Sequence, residues 1–171
     1  MSLPHVHWPL ILDSVYLRPL SSSDVTQSYV SWFHDPLIQK YISFANDSVT
    51  QYDLISYIQK RSCKFDCLFL GIFCNNERIL IGTIKFEPID FVAGSAEFGI
   101  LIGSPNHRGI GLGRYVLSEL IQWLPRSLGI FCLTLGVNKT NYPAYRLYKS
   151  LGFVVVSSLQ DSHRMMLKLP I

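Results

Sequence analysis

The chain has 171 residues, of which 49% are hydrophobic, 13% aromatic and 16% charged; this composition suits one domain with its own core and excludes an intrinsically disordered chain. The net charge is only +3 and no run of four Lys or Arg residues occurs, so neither a nucleic-acid partner nor a basic DNA-binding stripe is expected. No apolar stretch is long enough to span a membrane, and the sequence predicts a cytoplasmic protein without a membrane partner.

The first half of the chain predicts a strand, two helices and three further strands. Their approximate ranges are 15–20, 21–35, 50–58, 69–74, 79–86 and 96–102. The first helix begins at a Ser/Asp cluster and is ended by Pro36, and its apolar residues recur at helical spacing. Thr50 and Asp53 form a capping box at the start of the second helix, because each side chain can bond the other residue's backbone N–H.

The second half predicts a helix, a strand, another helix and two closing strands. A glycine-rich loop at 103–113 precedes the first of these helices, and Asn141 and Gly152 bracket the second. The strand at 130–137 is almost wholly apolar, which is typical of a strand buried on both faces. Helices alternating with strands in this half, after a hairpin in the first half, predict a mixed α/β fold.

The glycine-rich loop is the sharpest feature, because it follows a strand and opens a helix, where backbone N–H groups meet the positive helix end. Glycines permit the positive φ that such a loop needs, and flanking arginines can pair with phosphate oxygens. The spacing matches neither the P-loop nor the dinucleotide fingerprint. The candidate anion-binding residues are Arg108, Gly109, Ile110, Gly111, Leu112, Gly113 and Arg114.

A second cluster follows the buried strand. Asn138 lies just past that strand and Asn141 begins the next helix, so both could bond a polar ligand at the carboxyl ends of the strands. The alternative is that Asn141 acts only as a helix cap and that Tyr148 only packs in the core.

Together the two clusters resemble the GNAT superfamily of acyl-CoA N-acyltransferases. The loop pattern is matched by Arg108, Gly111 and Gly113, and a second pattern is matched by Asn141, Ala144, Tyr148, Gly152 and Phe153. The front of the chain, with Leu17–Leu20, Asp24, Trp32 and Asp35–Pro36, is similar to Rim-type acetyltransferases that modify protein N-termini.

This resemblance implies one domain at 14–171 after an N-terminal extension at 1–13, part of which could derive from an expression vector. The implied fold is a mixed, mostly antiparallel sheet of about seven strands, splayed between the fourth and fifth and flanked by about four helices. The implied acyl donor is acetyl-CoA, and no metal is implied.

The resemblance also implies roles for individual residues. The backbone of Ile100, Leu101 and Ile102 would pair with the pantetheine arm, and the loop at 108–114 would bind the pyrophosphate. Asn138 and Asn141 would reach the donor as well. Tyr148 would protonate the leaving sulfur, and Glu97 is the candidate general base, directly or through water.

The predicted function is therefore transfer of an acetyl group to a primary amine by direct attack in a ternary complex. The amine could belong to a protein N-terminus, an amino sugar or a small molecule. Many Rim-like relatives carry a tyrosine at the position of Ile100, which leaves the acceptor open. The alternative function is a non-catalytic CoA-binding sensor or regulatory module on the same fold. A homodimer is compatible with either reading.

Overall fold

The computed structural model describes residues 6–170, which contain eight strands and five α-helices. The strands are β1 (Leu10–Ile11), β2 (Val15–Pro19), β3 (Leu68–Cys74), β4 (Leu80–Asp90), β5 (Ser95–Ile102), β6 (Cys132–Asn138), β7 (Val154–Ser158) and β8 (Ser162–Lys168). The helices are α1 (Gln27–Trp32), α2 (Pro36–Gln39), α3 (Gln51–Ser62), α4 (Leu112–Leu128) and α5 (Tyr142–Ser150). The predicted mixed, mostly antiparallel α/β fold is confirmed, and the additional elements are the short β1 and α2.

The chain divides into two compact units, and the first comprises residues up to 85 together with residues 100–110. Its strands lie in the order β1-β2-β3-β4, and β2 pairs antiparallel with both β1 and β3. Helices α1 to α3 contribute a buried apolar cluster that includes Tyr29, Trp32, Leu54 and Ile58. The capping box of α3 is present, because Thr50 and Asp53 bond each other as predicted.

The predicted first helix is wrong in its bounds. Ser22–Asp24 forms only a 3-10 turn, and α1 begins after Thr26, whose side chain accepts the Tyr29 N–H. Pro36 begins α2 instead of ending the preceding helix, since Asp35 caps its N-terminus and proline suits the first helical position. Two short helices therefore replace the single predicted one.

The second unit comprises residues 86–99 and residues from 111 onward. Its strands lie in the order β5-β6-β8-β7, and β5 runs parallel to β6 over three pairs, from Ser95–Cys132 to Glu97–Thr134. These are the predicted fourth and fifth strands, and strands that splay apart can pair only over a short length such as this one. Phe98 contacts Tyr148 of α5 and Phe153, so α5 covers the face of β5 to which Phe98 points.

The prediction that the strand at 130–137 is buried on both faces is wrong. In β6 the side chains of Leu133, Leu135 and Val137 are buried, whereas those of Thr134 and Gly136 are more accessible. The exposed face of the second unit therefore carries Glu97, which pairs with Thr134 in the parallel register, and residues of β8.

The predicted domain bounds, 14–171 with an extension at 1–13, stay predictions. Residues 1–5 and 171 lie outside the described residues, and within the rest of the extension β1 pairs with β2. No helix between residues 6 and 170 has the length and apolar character needed to cross a membrane.

Candidate functional site

The glycine-rich loop presents a row of backbone N–H groups without protein acceptors. Gly109 and Gly111 have φ of +74° and +85°, and Gly111 is the N-cap of α4 without a side-chain cap. The first N–H of this helix to be satisfied is that of Tyr115, which donates to Gly111 O at 3.0 Å. Within residues 6–170, no N–H from 109 to 114 donates to an acceptor. This segment can therefore bind an anion.

The glycines serve the conformation of this loop and not its packing. A Cβ built on Gly109 or Gly111 would meet no atom within 4 Å. The positive φ at both positions, however, is one that L side chains rarely adopt. Glycine is therefore required at these two positions by the backbone conformation and not by the space around them.

The two arginines that flank this loop have different environments. Arg114 is exposed in the first turn of α4 and has no partner among residues 6–170. A cation at the positive end of a helix is unfavourable unless an anion is close. Arg108, in contrast, donates to Ile102 O at 3.0 Å, to Gly103 O at 2.5 Å and to Asp35 Oδ2 at 2.6 Å. Arg114 therefore fits an anion better than Arg108 does.

The asparagines after β6 are engaged locally through their carbonyl oxygens. Asn138 Oδ1 accepts from Thr140 N at 2.9 Å and from Thr140 Oγ1 at 2.8 Å. Asn141 Oδ1 caps α5 by accepting from Ala144 N at 3.3 Å. Their side-chain amide donors make no hydrogen bond within the described residues. A donor-binding role for either asparagine would therefore use the N–H groups and stays a prediction.

Tyr148 lies on α5 with a buried ring and an unpaired hydroxyl. The ring contacts Phe98 edge-on at a centroid distance of 5.9 Å and Phe153 at 5.7 Å. Burial raises the pKa of Tyr148 to about 12. Within residues 6–170, every fully buried side-chain oxygen or nitrogen forms a hydrogen bond. The phenol oxygen of Tyr148 forms none, so it keeps some accessible surface. The Tyr148 hydroxyl is therefore protonated at neutral pH, and its role as a proton donor stays a prediction.

Glu97 is held by an arginine that the sequence did not indicate. Arg164 of β8 donates to Glu97 Oε2 at 2.8 Å and to Thr134 Oγ1 at 3.2 Å. The two charged side chains are 38% and 47% exposed, so the carboxylate remains accessible to a ligand or water. Alternation along β5 places Glu97 on the face opposite to Phe98, and therefore opposite to Tyr148.

The structure thus separates the predicted catalytic pair onto two faces of one sheet and leaves Ile100, Leu101 and Ile102 as the end of β5. Pairing of their backbone with a ligand stays a prediction. Sequence reasoning missed Arg164, and it named Asp35 only in the Rim-like front without its contact to Arg108. The partners of these two residues lie 67 and 73 positions away. No group of three or more His, Cys, Asp or Glu residues between 6 and 170 could hold a metal ion.

Comparison with known proteins gives a consistent result. The family model described as the acetyltransferase (GNAT) domain matches residues 14–154. The uncharacterized N-acetyltransferase p20 of Bacillus licheniformis is 30% identical over 144 residues, which cover 83% of this chain and 79% of the relative. The spermidine N(1)-acetyltransferase of Vibrio cholerae is 32% identical over a shorter stretch of 78 residues, which covers 46% of this chain and 44% of that enzyme.

Solved structures share the fold at low sequence identity. The spermidine N-acetyltransferase of Vibrio cholerae in complex with CoA and spermine has a TM-score of 0.79 at 23% identity, with 91% of this chain and 96% of that chain covered. The ribosomal L7/L12 alpha-N-protein acetyltransferase RimL in complex with coenzyme A has a TM-score of 0.80 at 15% identity, with 92% and 96% covered.

Proposed function

The chain belongs to the acetyltransferase (GNAT) family and is an acetyl-CoA-dependent N-acetyltransferase; on this premise we propose that the loop at 108–114 binds the pyrophosphate of the donor. The observation that carries the proposal is the row of unsatisfied N–H groups ahead of α4, with Arg114 beside it. The donor's diphosphate supplies the negative charge that this helix start stabilises.

The proposed reaction is direct attack of a neutral amine on the thioester carbonyl of acetyl-CoA. A C–N bond forms, the C–S bond breaks, and the products are an amide and the free thiol of CoA. Glu97 accepts the proton that the amine loses, directly or through water, and the Tyr148 hydroxyl gives a proton to the leaving sulfur. The exposed carboxylate of Glu97 and the protonated hydroxyl of Tyr148 support these roles. Because the two side chains lie on opposite faces of β5, their positions favour the route in which Glu97 accepts the proton through water.

We propose a primary amine as the acceptor, on a protein N-terminus, an amino sugar or a small molecule. The Rim-like front of the chain favours the first of these, whereas the related spermidine acetyltransferases point to a small polyamine. A homodimer and a cytoplasmic location also stay predictions.

The activity can be tested by following release of the CoA thiol from acetyl-CoA. The panel should contain peptides with free N-termini, amino sugars and polyamines, each with a no-enzyme control. An N-acetyltransferase should give turnover with at least one of these classes. Tight CoA binding in calorimetry without turnover on any class would instead support the alternative, a CoA-binding sensor or regulatory module.

The roles of Glu97 and Arg164 can be separated by replacing each with glutamine. Glu97→Gln should lower kcat by about 100-fold, because glutamine cannot accept the amine proton. Arg164→Gln should lower kcat by only about 10-fold, because the carboxylate remains but is no longer held in place. Both variants should melt close to the parent temperature, since exposed ion pairs contribute little to stability.

Steady-state kinetics with a reactive amine, together with thermal melting, make this comparison. Equal, small losses of kcat in both variants would contradict a proton-accepting role and would leave the Glu97–Arg164 pair as a surface contact.

A further inference from the structure

The Arg108 side chain forms hydrogen bonds at the start of the loop at 108–114, which is called the donor loop below. Its Nε donates to Ile102 O and one Nη donates to Gly103 O. The other Nη donates to Asp35, which lies between α1 and α2. The two carbonyl oxygens stand where β5 ends. The planar guanidinium fork suits three acceptors at fixed angles, so Arg108 links two carbonyl groups at the end of β5 to Asp35.

The backbone that leads into the donor loop is held by close packing. A Cβ on Gly103 would lie 1.9 Å from Cε3 of Trp32, a residue that is 3% exposed. The N–H groups of Gly103 and Ser104 both donate to Ile81 O at 3.0 Å. The segment that leads into the donor loop is therefore fixed by the core of the first unit, with no ligand needed to order it.

Asp35 joins this arrangement to α2. One of its carboxylate oxygens accepts the Leu37 N–H at 2.9 Å, which caps the helix, and the other accepts from Arg108. The ion pair is only about one-quarter exposed on each side, at 25% and 24%. The hydrogen bond from Arg108 is the largest of the contacts that lower the pKa of Asp35, so the carboxylate is ionised and balances the Arg108 charge.

We propose that Asp35 and Arg108 are positioning residues that preorganise the donor loop, and that Arg108 acts through backbone carbonyls instead of ligating the donor phosphates. This inference rests on the proposed pyrophosphate-binding role of the loop. A loop that is already ordered loses less conformational entropy when the donor binds, which increases affinity. Arg114, which forms no ion pair within residues 6–170, is left as the arginine that faces the anion.

Calorimetry with coenzyme A tests this proposal through Asp35→Asn. Asparagine keeps the helix cap but removes the charge, so the Kd for coenzyme A should rise about 10-fold while kcat at saturating acetyl-CoA stays within about 2-fold. Arg108→Gln should raise the Kd for coenzyme A by a similar factor. The double variant should bind coenzyme A no more weakly than the weaker-binding single variant, because both residues act through one contact. Binding of acetyl-pantetheine, which lacks the pyrophosphate, should not change.

The opposite result is expected if Arg108 ligates the phosphates directly. Asp35→Asn would then free the guanidinium and leave coenzyme A binding unchanged or tighter, and that outcome overturns the proposal. Strict additivity of the two substitutions would overturn it too.

A matched control is the second Asp–Arg pair of the first unit. Arg18 and Asp24 are bonded at 2.5 and 2.8 Å, and neither forms a hydrogen bond with a residue of the donor loop. Asp24→Asn should lower the melting temperature without changing the Kd for coenzyme A. An equal rise in Kd for this variant would mean that general destabilisation explains the Asp35 effect, and would also overturn the proposal.

Failure of the proposed function would look different. Gly111→Val alters the N–H row without touching Asp35 or Arg108. If the loop binds the donor but the positioning role is wrong, Gly111→Val weakens coenzyme A binding and Asp35→Asn does not. If the loop does not bind the donor at all, neither substitution changes the Kd.

Discussion

Replacing Tyr148 with phenylalanine should lower kcat by about 100-fold and leave the Kd for coenzyme A unchanged. A positioned proton donor typically contributes a factor of about 10² to 10⁴, and the phenol is needed mainly as the thiolate leaves. Phenylalanine keeps the ring that packs against Phe98 and Phe153, so stability should change little. Thiol-release kinetics at saturating acetyl-CoA measure kcat, and calorimetry measures the Kd.

Tyr145 provides the matched control for this substitution. It lies on the same helix, one turn earlier, and its ring contacts His163 at a centroid distance of 5.6 Å. Tyr145→Phe makes the same chemical change and should leave kcat within about 2-fold of the parent. An unchanged kcat in Tyr148→Phe, or equal losses in the two variants, would show that Tyr148 only packs in the core.

The pH dependence gives an independent check of the same role. Burial raises the pKa of Tyr148 to about 12, so the phenol stays protonated until the solution approaches that value. The ratio of parent kcat to Tyr148→Phe kcat should therefore be constant between about pH 7 and pH 10. A ratio that falls within this range would mean that the phenol loses its proton there and that its surroundings do not favour the neutral form.

The parts of the fold that the sequence predicted well are those with local causes. The capping box of α3 needs only Thr50 and Asp53, three positions apart, and both of its hydrogen bonds form. The glycine loop also follows from neighbouring residues, because a positive φ at Gly109 and Gly111 and the start of α4 are consequences of the local chain. Periodicity and turn chemistry act over such distances.

One error arose where tertiary structure decides the outcome. The apolar run before Val137 indicated a strand buried on both faces, but alternation leaves Thr134 and Gly136 on a more accessible face. Composition cannot reveal which face of a strand is covered. The break between α1 and α2, in contrast, has a local cause that was misinterpreted, since Asp35 caps the new helix and Pro36 occupies its first position.

The candidate site shows the same division. The resemblance predicted that the loop at 108–114 binds the donor, and it assigned Arg108 and Arg114 the same task. Only three-dimensional contacts show that Arg108 donates to Ile102, Gly103 and Asp35, whereas Arg114 has no partner in residues 6–170. The sequence likewise could not reveal that Arg164 holds Glu97. The sequence alone therefore did not show which charged residues, distant along the chain, form ion pairs with each other.

Substitution of Gly111 should have the largest effect on donor binding. Gly111→Val should raise the Kd for acetyl-CoA by about 100-fold, because a β-branched residue cannot readily hold the φ of +85° that orients the N–H row. Each charge-assisted hydrogen bond lost is worth about 1.5–3 kcal/mol, and a 100-fold change corresponds to about 2.7 kcal/mol, so one or two such losses give this factor. Gly111→Asn should raise the Kd by less than about 10-fold, since asparagine tolerates left-handed backbone. Calorimetry on both variants measures the difference.

Gly129 separates this effect from a general weakening of α4. It ends the same helix with φ of +65°, and a Cβ there would also meet nothing within 4 Å. Gly129→Val should therefore lower the melting temperature about as much as Gly111→Val while leaving the Kd for acetyl-CoA unchanged. Equal binding losses in Gly111→Asn and Gly111→Val would argue that side-chain bulk blocks the ligand. Unchanged binding in both would mean that the anion site ahead of α4 does not hold the donor.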